Sequence, residues 1–134
     1  DHRPVIAADT IVALDGAVLG KPRDRADALK MLQQLSGRTH EVLTAVALLP
    51  KGEAPRSLVD RSLVTFRMLE AGEAEAYWET GEPRDKAGAY GIQGRAGIFV
   101  TRLEGSFTGV MGLPLAPTAQ LLKDLGLALW GTPS

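Results

Sequence analysis

Apolar positions along the chain switch repeatedly between strand-like and helix-like spacing. Pro4-Val5-Ile6-Ala7-Ala8 predicts a short buried strand that delivers Asp9-Thr10 at its carboxyl end. Ile11 to Leu14 predicts a second strand, followed by Asp15-Gly16, a hairpin-turn dipeptide. From Arg25 to Leu35, the residues Ala28, Met31, Leu32 and Leu35 recur at helical spacing. Asp24 is suited to cap that helix and Gly37 to close it. His40 to Leu49 is apolar on both faces, as expected of an interior strand covered on two sides. Lys51 to Pro55 reads as an exposed hairpin loop. Ser62 to Met68 alternates, with Val64, Phe66 and Met68 on one face. Glu73 to Thr80 predicts a helix stopped by Gly81 and Pro83, Ile98 to Leu103 a strand, and Pro117 to Leu125 a last helix with Gly126 just past its end. Helices alternating with strands predict an α/β fold (α+β, with a mixed sheet). No linker or low-complexity tract divides residues 1–134, so a single domain is expected.

Composition narrows the chemistry. With 15 Lys+Arg against 16 Asp+Glu, the formal net charge of -1 gives no electrostatic reason to bind a nucleic-acid backbone or an anionic membrane. The absence of Cys excludes disulfides, thiolate zinc sites and Cys nucleophiles, and it fits a reducing, cytoplasmic setting. Two histidines, His2 and His40, leave little for a His-based triad or metal cage. The longest apolar stretch, Val42 to Leu49, is too short to span a bilayer.

Candidate chemistry gathers in two places. Between Asp85 and Gly97, the glycines Gly88, Gly91, Gly94 and Gly97 fall at three-residue spacing. Glycine lets the backbone approach a ligand closely, although a tight connector gives the same pattern. Lys86 brings a charge suited to phosphate oxygens, and Gln93 a planar amide with both a donor and an acceptor. A uracil or thymine edge, an N–H flanked by carbonyls, complements that amide. Asp9 is the other focus, able to hold a divalent cation or to take a proton from water. As a turn-forming Asp-Thr pair it would need no chemistry at all. Lys21 precedes the helix capped by Asp24, adding charge at an end that favours anions.

Together these pieces resemble a family. Ala8-Asp9-Thr10, Leu19-Gly20-Lys21-Pro22, Leu35-Ser36-Gly37-Arg38-Thr39-His40-Glu41-Val42, Val64-Thr65-Phe66, Gly81-Glu82-Pro83, the block from Asp85 to Gly94, and Gly112-Leu113-Pro114-Leu115 resemble the Maf nucleotide pyrophosphatases, which are related in fold to the inosine triphosphate pyrophosphatases. The resemblance implies hydrolysis of a nucleoside triphosphate to the monophosphate and pyrophosphate, with a divalent cation, Mg²⁺ or Mn²⁺, as cofactor. It implies that Asp9 is the proton acceptor and a metal ligand. It assigns Lys21 and Lys86 to the phosphate groove and Thr10 and Gln93 to substrate selection. Thr10 with Gln93 looks like the dTTP/UTP subfamily rather than the one acting on 7-methyl-GTP. A homodimer is implied as well. His40 matches a motif position and is expected to be a hydrogen-bonding residue at a strand start. The rival to an enzyme is a non-catalytic inhibitor of septum formation, as the family has also been described.

Two departures shape the expectations. The family's opening Ser-x-Ser-Pro-Arg-Arg segment, and the acidic residue and lysine that follow it, do not occur in these residues. The chain is therefore expected to be an N-terminally truncated domain, catalytically poor by itself and prone to self-association. Gly109 also stands where relatives often carry Asn.

Overall fold

The computed structural model describes residues 5–49, 52 and 54–126; Pro4 of the first expected strand, and Lys51 and Glu53 of the expected hairpin loop, lie outside them. The strands are β1 (Val5–Leu14), β2 (Ala17–Leu19), β3 (Thr39–Leu49), β4 (Arg56–Phe66) and β5 (Val100–Glu104). They form one sheet in the order β2-β1-β3-β4-β5. Helices and strands mix, but strand directions do not: each described pairing is antiparallel. A short turn suffices for such a pair, whereas a parallel pair needs a long crossover. The β1–β2 turn is Asp15-Gly16, with φ of 50° and 81°, the two positive values that a tight hairpin of this hand requires.

The two short strands expected before that turn are one. The ladder to β3 runs unbroken from Val5 opposite Leu49 to Ala13 opposite Glu41. Asp9 and Thr10 pair with Ala45 and Thr44 in its middle, so Asp9 is not at a strand's carboxyl end. Their polar side chains do not interrupt the strand because the ladder uses only backbone groups. β2 pairs only with Val12 to Leu14, which leaves the Val5–Ile11 edge of β1 unpaired among the described residues.

β3 is interior, between β1 and β4. It is covered on one side rather than two: His40, Val42, Thr44, Val46 and Leu48 are buried, while Ala45 and Leu49 are exposed. The described helices that touch the sheet lie on that buried face. The helix α1 (Arg25–Leu35) packs Ala28, Met31, Leu32 and Leu35 against Val12, Leu14, Val42, Val64 and Phe66. Burying each large side chain there contributes roughly 1.5–3 kcal/mol. Asp24 caps α1 by accepting the Asp27 N–H at 2.8 Å, and Gly37 follows it at φ 66°.

Several boundaries differ from expectation. β4 begins earlier, at Arg56, and ends at Phe66. The Arg67 N–H instead donates to the Phe99 carbonyl, and Met68 lies 75% exposed over Gly37 rather than joining Val64 and Phe66 in the core. Ile98, expected in a strand, sits in a 3₁₀ turn (Arg95–Phe99), and β5 starts after it. The helix α2 (Glu73–Glu79) ends one residue early, the short helix α3 (Phe107–Met111) was not signalled, and α4 (Leu115–Asp124) begins two residues before Pro117. Among the described residues, no helix is long and apolar enough to cross a membrane.

Candidate functional site

Asp9, Thr10, Lys21, Lys86 and Gln93 line a single cleft beside β1. With its open mouth it takes in about 720 Å³. Two segments bring the lysines there. Lys21 follows β2 directly, after Gly20. Lys86 separates two 3₁₀ turns, Glu82–Asp85 and Ala87–Ala89. A backbone hydrogen bond ties the segments together, the Gly88 N–H donating to the Gly20 carbonyl at 3.0 Å.

Two glycines of the repeat have separate physical reasons. Gly88 adopts φ 70°, and a Cβ there would press on Val12 at 3.0–3.1 Å. This lets the turn pack flat on β1. Gly91 is needed for room: a Cβ would meet Cε and Cδ of Lys86 at 2.7 and 2.9 Å. The lysine stem lies across the bare glycine. The Gly91 N–H is held by the Tyr77 hydroxyl at 3.1 Å, so α2 anchors the floor on which Lys86 rests.

Behind this floor, His40 is 1% exposed and its Nε2 lies 2.7 Å from the Tyr90 hydroxyl. Edge-on rings enclose it, Phe66 at 5.2 Å and Tyr90 at 5.4 Å between centroids. Burial pulls the His40 pKa from 6.5 down to about 4. Burial likewise pushes the Tyr90 phenol upward, so both groups stay neutral near pH 7. His40 thus supports the cleft wall at Tyr90 without lining the cleft itself.

Strand alternation turns Asp9 and Thr10 to opposite faces of β1. Thr10 faces the helices, where its Oγ1 lies 3.1 Å from Oγ1 of Thr44. Asp9 borders the cleft from the unpaired strand edge. Asp85 is a second lining carboxylate, and Tyr90 a lining aromatic, that the sequence did not single out. Among the described residues no group of three or more His, Cys, Asp or Glu is poised to hold a metal ion. The two lining carboxylates, Asp9 and Asp85, are hard oxygen donors of the kind a divalent cation takes. A Cβ at Gly109 would run into the Asp60 carboxylate, so an Asn at this position would require Asp60 to turn away.

Fold and cleft together define an α/β domain that gathers two lysines, two carboxylates and an exposed amide around one open site. The chain belongs to the Maf-like protein family, whose profile matches residues 1–125. It is similar to three proteins named dTTP/UTP pyrophosphatase. That of Alkalilimnicola ehrlichii is 62% identical over 121 residues, covering 90% of this chain and 59% of the relative. That of Bordetella parapertussis is 59% identical over 126 residues, covering 94% and 60%. That of Aromatoleum aromaticum is 56% identical over 128 residues, covering 96% and 62%. The chain therefore spans about three fifths of the length of these relatives.

Proposed function

We propose that this chain serves a nucleoside triphosphate pyrophosphatase that cleaves dTTP and UTP to the monophosphate and pyrophosphate, clearing the nucleotide pool. The observation that carries the reading is the meeting of Asp9 with Lys21 and Lys86, 77 positions apart at the extremes (86 - 9), along one cleft. The names of relatives at about 60% identity supply the substrate. Asp9 orients a water and accepts its proton as the water oxygen bonds to the α-phosphorus. The bond between that phosphorus and the oxygen bridging to the β-phosphate breaks, and pyrophosphate leaves. Lys21 and Lys86 stabilise the charge gathering on it. A divalent cation, Mg²⁺ or Mn²⁺, when bound supplies Lewis-acid neutralisation of the phosphates, and Asp9 with Asp85 would hold it. Gln93 and Thr10 face the nucleoside. The same reading takes the protein as cytoplasmic and homodimeric.

The test is pyrophosphate release from dTTP, UTP, GTP and 7-methyl-GTP, with the full-length Alkalilimnicola ehrlichii relative assayed in parallel. The expected result is a preference of at least about tenfold for dTTP and UTP, since a mismatched base leaves buried polar groups unpaired. Equal rates on all four substrates, or a preference for 7-methyl-GTP, would overturn the base assignment.

A further inference from the structure

We infer that Thr44 fixes the hydrogen-bond polarity of Thr10, making Thr10 an acceptor-only contact for a proton-bearing group of the nucleotide, a base N–H or a sugar O–H. The inference rests on the nucleotide reading above and adds which part of the ligand meets this wall.

A threonine hydroxyl carries one proton and two lone pairs. Oγ1 of Thr44 lies 2.7 Å from the Gly109 carbonyl, which has no proton to give. The single Thr44 proton therefore goes to Gly109. In the 3.1 Å contact between the two hydroxyls, Thr10 is then the only possible donor. Thr44 is 0% exposed, so no solvent competes for these bonds. The acceptor at the far end is held firmly as well. The Gly112 N–H donates to the same carbonyl at 3.0 Å, and the Gly109 N–H donates to Oγ of Ser106 at 2.9 Å.

Thr10 has thus spent its proton on Thr44, and it presents only lone pairs where it lines the cleft. An ionised phosphate oxygen is repelled there and directed toward Lys21 and Lys86. A donor is welcomed. Gln93 differs in kind: its side chain is exposed, and an unrestrained amide turns to offer either end. Of the two residues assigned to selection, Thr10 is the one whose polarity the fold sets. Thr44 acts only through it, as a positioning residue.

The experiment measures affinity for dTTP, N3-methyl-dTTP and 3′-deoxy-dTTP by calorimetry, on the wild-type chain, Thr44→Ser and Thr44→Val. One donor-deleted analogue should bind the wild type roughly tenfold more weakly than dTTP, and its identity tells base from sugar. Thr44→Ser should keep that loss, because the hydroxyl remains. Thr44→Val should shrink it to within about twofold, because Thr10 regains a free proton and no longer demands a donor. Analogues that bind the wild type as dTTP does, or a loss undiminished in Thr44→Val, would overturn the inference. Thermal melting tests the relay without ligand. Thr44→Val, which removes both bonds, should melt below Thr10→Val, which removes one. The reverse order would mean that Thr44 makes no more bonds than Thr10 does, and the relay fails. If dTTP itself does not bind, the nucleotide reading and the ligand half of this inference fall together, while the melting order still decides the relay.

Discussion

Acid should destabilise this fold through His40, in a pH window that lies mostly above that of the arginine-held carboxylate Glu73. The folded ring titrates at about 4 against 6.5 for the free side chain, because burial disfavours its charge. The neutral form is the folded form. Its contribution is fully present above pH 6.5 and is lost as pH falls through about 4. At about 1.4 kcal/mol per tenfold change in proton affinity, the loss is on the order of 3 kcal/mol. The surroundings agree in sign: Phe66 and the Tyr90 phenol pack around the ring. Nδ1 is buried without a partner among the described residues, so added charge finds no acceptor. Glu73, held by Arg67 at about 2, acts lower, between 4.5 and 2. Urea unfolding of wild type and His40→Gln at pH 7, 6, 5 and 4 separates the effects. Wild type should lose about 3 kcal/mol more than the variant across that series. Parallel loss in both proteins would refute the assignment.

Three further outcomes follow from the same contacts. Leu32→Ala should cost about 2–5 kcal/mol in urea unfolding, since Leu32 is 0% exposed and helix, sheet and turn cannot all close on the cavity. Gly91→Ala should raise KM for dTTP several-fold with a smaller change in kcat, because the new Cβ displaces the Lys86 stem; an unchanged KM would mean that Lys86 does not contact substrate. Asp9→Asn should lower kcat by about 10²–10⁴ in the full-length relative's equivalent assay while leaving melting nearly unchanged, and near-normal turnover would remove Asp9 as the base.

What the sequence made legible was local. The α1 stripe, the Asp24 cap, the Asp15-Gly16 turn and the interior position of β3 follow from spacing and turn chemistry within a few residues. The continuity of β1 was hidden because Asp9-Thr10 looks like a turn until β3 supplies a backbone partner for each residue. The two-sided cover expected of β3 failed because apolar character on a second face does not say that anything packs there. In the cleft, Asp9, Lys21, Lys86, Thr10 and Gln93 each had a bland reading alone, and only their order as family blocks singled them out. Asp85 and Tyr90 stood inside the block already marked, yet nothing in residue type separated them from neighbours. Thr44 had a signal that went unused: it is a hydroxyl among alternating apolar positions on β3, and such a group must find a partner. That partner, Gly109, lies 65 positions away on a helix the sequence did not announce.

The Gly88–Gly20 hydrogen bond joins the two lysine-bearing segments and so acts as a latch on the cleft. Each segment on its own is a short connector of turns, the kind of structure that opens at little free-energy cost. While that bond holds, neither segment opens alone, and each lysine keeps its place beside β1. The Gly88 amide exchanges with solvent only when that bond parts. Its exchange rate therefore reports how often the charged walls separate, and an anion bridging Lys21 and Lys86 would slow that rate by holding shut a gap it does not itself cover.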